Sequence, residues 1–399
     1  MSDAPWLTII GIGEDGVAGL SATSQAALAK AEVIMAPARH LAMVPAGTAE
    51  RINWPVPFAK GLPVLKGLEG RRVVVLASGD PFWFGAGSVI ARHLARSDWH
   101  ALPGVSCFAL AAAHMGWALD DTLCRGLHAA PMTRLRRDLA QGSQIIATLR
   151  DGAAVAEIAA YLRTQGFGAS TLVVLEHLGG PSERATRMSA DHLTGAFYHP
   201  VCVAIAVAGD DDAAALSVAS GQIDETFDHD GQITKRPVRA ITLSTLAPRP
   251  GEHLWDIGGG SGSIALEWLL SHPRMTATTI ERRADRAAQI RNNAAELGVE
   301  HRLGVVEGTA PDAFIDMPAP DAVFVGGGMS DHLLDAVLKL KAPRLVVNAV
   351  TLEGEALLAR YQAQHGGELM RIALSHTKPL GQKRGWSASY PVVQWSLNR

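Results

Sequence analysis

The chain has 399 residues, 48% of them hydrophobic and 19% charged, with a formal net charge of −3. That length predicts two or three units, each able to bury its own core, in an ordinary globular composition. A balance so close to neutral supplies no electrostatic footprint for nucleic acid or another polyanion, so any basic site must be local.

The first residues, MSDAPWLTIIGIG, carry no basic n-region and run straight into a strand pattern, so no signal peptide is expected. No uninterrupted apolar span reaches bilayer length, and no membrane association is expected. Cys107, Cys124 and Cys202 are widely spaced and form no C-x-x-C, which argues for a reducing cytoplasm and against a disulfide framework or a zinc site. The histidines show no H-E-x-x-H or comparable spacing, and no metal is expected.

In chain order, Trp6–Ile12 reads as a strand that empties into Gly11-Ile12-Gly13-Glu14-Asp15-Gly16, with a helix following over 18–31. A strand over 71–77, basic at its start and then continuously aliphatic in the pattern of a buried parallel strand, leads into Ser78-Gly79-Asp80-Pro81-Phe82-Trp83. A third short strand precedes Pro103-Gly104-Val105-Ser106-Cys107, which opens a helix around Leu110–Met115. Ligands of open α/β sheets bind outside the carboxyl ends of the strands, so the three turns describe one rim. Taken singly, S-G-D-P is also a good helix-capping turn. Further strands are expected over 144–148, 171–176 and 201–208, with a helix over 152–162. His177, at a strand end, is either catalytic or a structural cap.

Taken together, the three turns resemble the tetrapyrrole methylase family. The resemblance implies a fold of two α/β subdomains with S-adenosylmethionine (SAM) bound in the cleft between them. It also implies cofactor contacts from Gly79, Asp80, Trp83, Ser106 and Cys107, and by family position from Leu149 and Gly179. Where the family usually has proline in the first turn, this chain has Glu14.

The apolar pattern lapses between Gly209 and Asp230 through the acidic triplet Asp210-Asp211-Asp212, read as a solvated turn. Residues 1–212 are accordingly expected as one domain, 213–228 as a linker and 229–399 as a second domain. That second domain opens with His229-Asp230-Gly231-Gln232-Ile233-Thr234-Lys235-Arg236-Pro237-Val238-Arg239. There Thr234 is expected to cap a helix over 237–246 that has Pro237 in its first turn.

His253–Trp268, HLWDIGGGSGSIALEW, then reads as strand, glycine loop and helix. Glycines let a backbone pass close to a ligand, and a helix N-terminus receives anions. A dinucleotide site is a rival reading of such a loop. Asp256, two residues before Gly258 in D-x-G-x-G-x-G, makes the stretch resemble motif I of the class I SAM methyltransferases. That resemblance implies cofactor contacts from Asp256, Gly258, Gly259, Gly260, Ser261 and Gly262. Glu281, ending the next strand, suits two ribose hydroxyls through charge-assisted bonds, and Ala310 would lie at the adenine edge. Strands over 321–325, 345–349, 369–375 and 392–396 complete an expected seven-stranded Rossmann-like sheet. Gly327, within Gly326-Gly327-Gly328, leaves a gap for a flat substrate.

The opening phrase and the glycine loop resemble the decarboxylating methyltransferase module of cobalamin synthesis, which implies that the phrase lies over the SAM pocket, with Thr234 among the cofactor contacts. Lys235, Arg236 and Arg239 would then add positive charge to its entrance. Lys383, Arg384 and Trp386, expected in a connecting loop with Lys378, would clamp carboxylates and cover a conjugated ring. Fused in this order, the modules resemble the decarboxylating precorrin methyltransferases. The resemblance implies SAM-dependent methylation of precorrin-6B (6Y) at C5 and C15 and loss of carbon dioxide from the ring C acetate, giving precorrin-8. One SAM is implied per domain, in a homo-oligomer, with the N-terminal domain serving C5 and the C-terminal one C15 and the decarboxylation. No individual catalytic residue emerges. Two alternatives stay open: a fused methyltransferase acting on RNA or protein, and an N-terminal half that only docks the corrinoid.

Overall fold

The computed structural model describes residues 5–210, 213 and 215–399, which divide into two compact units. The first is built from residues within 1–132 and 138–214, the second from 133–137 and 215–399. Asp211 and Asp212 of the acidic triplet lie outside the described residues. Within the stretch 213–228, Gln222 and Phe227 are buried in the second unit, and Gln222 N–H donates to Glu267 Oε1 at 2.9 Å. Its apolar residues follow neither a helical nor a strand period, so nothing in the sequence pattern marks them as core.

The first unit carries two sheets. β1 (Leu7–Ile12), β2 (Val33–Ala36), β3 (Glu50–Asn53), β4 (Val73–Ser78) and β5 (Trp99–Leu102) lie parallel in the order β3-β2-β4-β1-β5. Successive side chains of a strand point to opposite faces. Leu7, Ile9, Val73 and Val75 accordingly enter one core cluster, while Ile10, Ile12, Val74 and Leu76 enter another. The second sheet comprises β6 (Leu123–Gly126), β7 (Gln144–Thr148), β8 (Thr171–Glu176), β9 (Arg184–Ser189) and β10 (Val201–Ala206) in the order β6-β7-β10-β8-β9. In it β10 runs antiparallel to both neighbours. β2, β3, β6 and β9 were not expected from the sequence: β2 is a four-residue apolar run, and β3 and β9 are polar sheet edges. The single helix expected over 18–31 is a 3₁₀ turn at Gly16–Gly19 and then the helix Ala22–Ala29, because Ser21 accepts from Ser24 N–H and starts the helix afresh.

The second unit has the expected seven-stranded Rossmann-like sheet. Its strands are β11 (His253–Ile257), β12 (Thr276–Glu281), β13 (Leu303–Glu307), β14 (Ala322–Val325), β15 (Arg344–Ala349), β16 (Glu368–Ile372) and, after a hairpin, β19 (Val392–Asn398). The order is β13-β12-β11-β14-β15-β19-β16, with β11 to β15 parallel and β19 antiparallel to both β15 and β16. The hairpin, β17 (Ser375–Leu380) and β18 (Lys383–Ala388), replaces the connecting loop expected there. Every β17 residue is exposed. A strand with no buried face carries no period-two apolar signal, which is why the sequence shows only a polar stretch.

Candidate functional site

Both units bring glycine turns to the carboxyl ends of parallel strands. In the second unit, Gly258 and Gly260 have φ of +74° and +59°, a conformation that penalises any side chain. A Cβ on Gly258 would sit 2.9 Å from Gly327 N, so the loop after β11 and the turn after β14 meet backbone to backbone. Gly258 and Gly259 N–H both donate to Ile280 O, at 3.0 and 3.2 Å, which ties the loop to the end of β12. Glu281 completes the tie, accepting from Gly260 N–H at 2.9 Å and from Arg283 N–H at 3.0 Å. Each carboxylate oxygen retains acceptor capacity for a ligand.

Above this loop lies a cavity of about 960 Å³, at the upper end of the roughly 300–1,000 Å³ range of small-molecule sites. Thr234, Lys235, Gly258, Gly259, Gly260, Glu281, Ala310 and Gly327 all line it. Asp256, Ser261 and Gly262 do not line it; they shape it from behind. Asp256 is buried and accepts from Ala265 N–H at 3.2 Å. Burial, and next to it the charge of Glu281, pushes its carboxyl up to about 7. Ser261 O accepts from Asn293 Nδ2 at 3.0 Å, and Gly262 precedes the helix Ser263–Ser271.

Several expected substrate contacts are corrected. Arg239 is 0% exposed, with Nε donating to Glu267 Oε1 at 2.6 Å and Nη1 to Asp224 Oδ1 at 3.1 Å. Its charge is spent inside the unit, because a guanidinium taken out of water needs carboxylates around it. Arg236 is not on the cavity wall; its N–H donates to Asp224 Oδ1 at 3.0 Å. Thr234 does not cap the helix Arg236–Leu246; Lys235 stands at that position without a side-chain cap bond, so the Asp224 carboxylate serves there instead. Lys383, Arg384 and Trp386 lie on β18 rather than on the wall, and Trp386 is 77% exposed. The wall instead takes His376, from β17, and Tyr390 beyond β18.

In the first unit the turns after β1, β4 and β5 interlock. Gly79 N–H donates to Ile12 O at 2.9 Å, and Gly104 N–H donates to Gly79 O at 3.0 Å. A Cβ on Gly11 would lie 1.8 Å from Gly79 O, so the three turns pack without room for side chains. Asp80 Oδ1 accepts from Phe82 N–H at 2.8 Å, and the Trp83 ring stacks on Phe108 at 5.3 Å. Ser106 caps the helix Cys107–Met115 through Ala109 N–H at 3.1 Å. Burial pushes the Cys107 thiol up to about 11, so it stays neutral near pH 7. The Leu149 side chain is buried, and its N–H donates to Val201 O at 3.2 Å. Gly179 N–H donates to Glu183 Oε2 at 2.7 Å.

A polar cluster at this rim was not anticipated. Glu14 Oε2 lies 3.1 Å from His177 Nδ1, and Arg39 donates to Glu14 Oε1. Arg39 Nη2 also lies 2.8 Å from His40 Nε2 and 3.2 Å from Ser78 Oγ. Burial, then the Arg39 charge, lowers His40 to about 4, so it is neutral near pH 7. The available signal was the Arg39-His40 pair, separated by two residues from the apolar run 33–36. In the second unit one further wall residue not expected there is Asn348, an amide within a largely aliphatic strand.

Among the described residues, no helix is long and apolar enough to cross a membrane. Residues 7–194 match the family described as Tetrapyrrole (Corrin/Porphyrin) Methylases, and residues 225–399 match the Precorrin methyltransferase domain. A precorrin-6Y C(5,15)-methyltransferase [decarboxylating] of Sinorhizobium sp is 47% identical over 99% of this chain and 97% of its own length. One of the same description from Mycobacterium tuberculosis is 42% identical over 98% of this chain and 100% of its own. The crystal structure of the C-terminal domain of precorrin-6Y C5,15-methyltransferase from Rhodobacter capsulatus is 53% identical. It covers 46% of this chain and 100% of that chain, with a TM-score of 0.45.

Proposed function

Because the chain belongs to the precorrin-6Y C5,15-methyltransferase (decarboxylating) family, we propose that its two units carry out separate steps on one acidic tetrapyrrole in cobalamin biosynthesis. The substrate is precorrin-6Y, methylated at C5 and C15 and decarboxylated at the ring C acetate to give precorrin-8. The first unit serves C5; the second serves C15 and the decarboxylation. Each unit holds one SAM, in a cytoplasmic homo-oligomer.

The observation that carries this reading is the large cavity of the second unit, floored by Gly258–Gly260 and Glu281, in a chain that has a second, interlocked glycine rim in its other unit. SAM, when bound, supplies a methyl group on a sulfonium, ready for in-line attack by an electron-rich carbon. The chain's own residues do the rest. Glu281 offers its remaining acceptor capacity to ribose hydroxyls, and Gly260 keeps side chains clear of the floor. Ala310 leaves room at the adenine edge, and Gly327 leaves an opening through which a flat ring approaches. Lys235 stands at the entrance for a propionate or acetate, its charge shared with Asp224 at 3.4 Å. In the first unit, Gly79, Asp80, Trp83, Ser106, Cys107, Leu149 and Gly179 are the proposed cofactor contacts. Holding donor and acceptor in one orientation supplies much of the rate.

The test is incubation of the full chain with precorrin-6Y and methyl-labelled SAM, followed by product mass and calorimetry of SAM alone. The expected product gains two labelled methyl groups and loses one carbon dioxide, with two equivalents of SAM bound. A single methyl group with a single equivalent would make the first unit a docking module. Label appearing in RNA or protein instead would overturn the tetrapyrrole reading.

A further inference from the structure

Asn348, at the end of β15, is half-buried and lies on the cavity wall. The sheet order β12-β11-β14-β15 places it two strands from β11, on the side away from Glu281. With strands about 4.8 Å apart, that puts the amide about 10 Å to the side of β11, beside the cofactor-type floor rather than on it. Around it Val238, Ile372, Leu374 and Val392 form an aliphatic part of the wall, and His376, Ser389 and Tyr390, from the segment between β16 and β19, also line the cavity.

The Asn348 amide is held in one orientation by neighbours that do not line the cavity. The Thr242 hydroxyl donates to Val238 O at 2.8 Å, so its oxygen is left to accept. It accepts from Asn348 Nδ2 at 2.9 Å and from Gln394 Nε2 at 3.2 Å. Gln394 Nε2 also donates to Asn348 Oδ1 at 2.9 Å, and Thr245 Oγ1 donates to Gln394 Oε1 at 2.9 Å. The hydroxyl proton therefore decides which end of each amide is nitrogen. Asn348 Nδ2 keeps one N–H beyond its bond to Thr242. A buried network of this kind fixes geometry well when every member is satisfied.

We propose that Asn348 orients the departing carboxylate in the decarboxylation, with Thr242 and Gln394 as positioning residues behind it. This rests on the second unit's being the decarboxylating one. In the step, the bond between the acetate methylene and its carboxylate breaks. The bonding pair passes into the conjugated imine system of the macrocycle, carbon dioxide leaves, and a proton from water then completes the methyl group. A lysine or arginine at this place would stabilise the starting carboxylate more than a transition state whose charge is spreading into the ring. A neutral amide beside aliphatic side chains orients the group without that ground-state stabilisation.

The test uses the full chain with precorrin-6Y labelled in the ring C acetate carboxyl and with methyl-labelled SAM. Carbon dioxide release and methyl incorporation are followed together, and precorrin-6Y affinity is measured by absorbance titration without SAM. Asn348→Leu should lower the ratio of carbon dioxide to methyl by about tenfold or more. Asn348→Asp, of the same shape and able to carry the test should the leucine variant not fold, should lower the ratio further and weaken precorrin-6Y binding. Gln394→Met should lower the ratio less, while moving affinity less than Asn348→Asp does. Equal falls in both products, or an unchanged ratio in the Asn348 variants, would overturn the assignment. A parent chain that methylates without releasing carbon dioxide would overturn the reading of the second unit, and this proposal with it.

Discussion

At the rim of the first unit, side chains reach over the backbone. Glu14, Arg39, His40, Ser78 and His177 form one connected polar cluster above the interlocked turns of Gly11, Gly79 and Gly104. At the rim of the second unit the backbone itself is the surface: Gly258–Gly260 and Gly326–Gly328 are bare, and the buried charges Asp256, Glu267 and Arg239 lie off the cavity wall. One glycine signature thus serves two constructions. In the first, three turns approach one another closely, and polar side chains supply the surface above them. In the second, a floor without side chains opens a cavity whose recognition groups stand at its edges.

Breaking the bare floor should have the largest effect. Gly260→Arg places a long side chain on a backbone at φ +59° facing the cavity. The step assigned to the second unit should fall by about a hundredfold or more, read as loss of one of two methyl groups by product mass, with the first unit's methylation retained.

Next in size is a test of the buried charges. Arg239→Met leaves Glu267 buried without its partner and should destabilise the second unit by about 3–5 kcal/mol, measured by urea unfolding. The double variant Arg239→Met/Glu267→Gln should recover part of that loss. If Arg239→Met instead raised KM for the tetrapyrrole without changing stability, the arginine would belong to the substrate site.

Asp80→Ala sharpens the contrast from the other side, because it removes the carboxylate that holds Phe82 N–H in the turn after β4. An effect of about tenfold on the first unit's methylation, with carbon dioxide release unaffected, is expected from single-turnover assays.

The last test concerns pH. The Asp256 carboxyl is raised from 3.8 to about 7, mainly by burial. Above pH 3.8 the unfolded chain therefore releases this proton while the folded chain retains it. The contribution to stability is full below 3.8, declines as pH rises toward 7, and is constant beyond. Asp256→Asn should gain stability relative to the parent between pH 4.5 and 7.5, seen as a shift in the difference between their urea midpoints. A difference that stays constant with pH would mean that Asp256 is already ionised at the lower end.

Much of the architecture is decided by local pattern. The short aliphatic runs 73–77 and 345–347, each leading into a turn, read as buried strands, and the glycine loop after β11 lets a neighbouring backbone approach at close range. These are nearest-neighbour properties of the chain, so the order of strands, glycine turns and helices is legible in its spacing. Polar residues are different, because their role depends on what faces them. Arg239, Arg236, Lys383 and Arg384 all look alike in sequence as cations near a site. Only packing shows that Arg239 is enclosed by Glu267 and Asp224, while Lys383 and Arg384 stand on an exposed hairpin. The same holds for Asn348, Thr242 and Gln394, which come from β15, the helix Arg236–Leu246 and β19. A hydrogen-bond network joined across more than a hundred residues of chain leaves no periodic trace, so the tertiary fold alone decides which way its amides point.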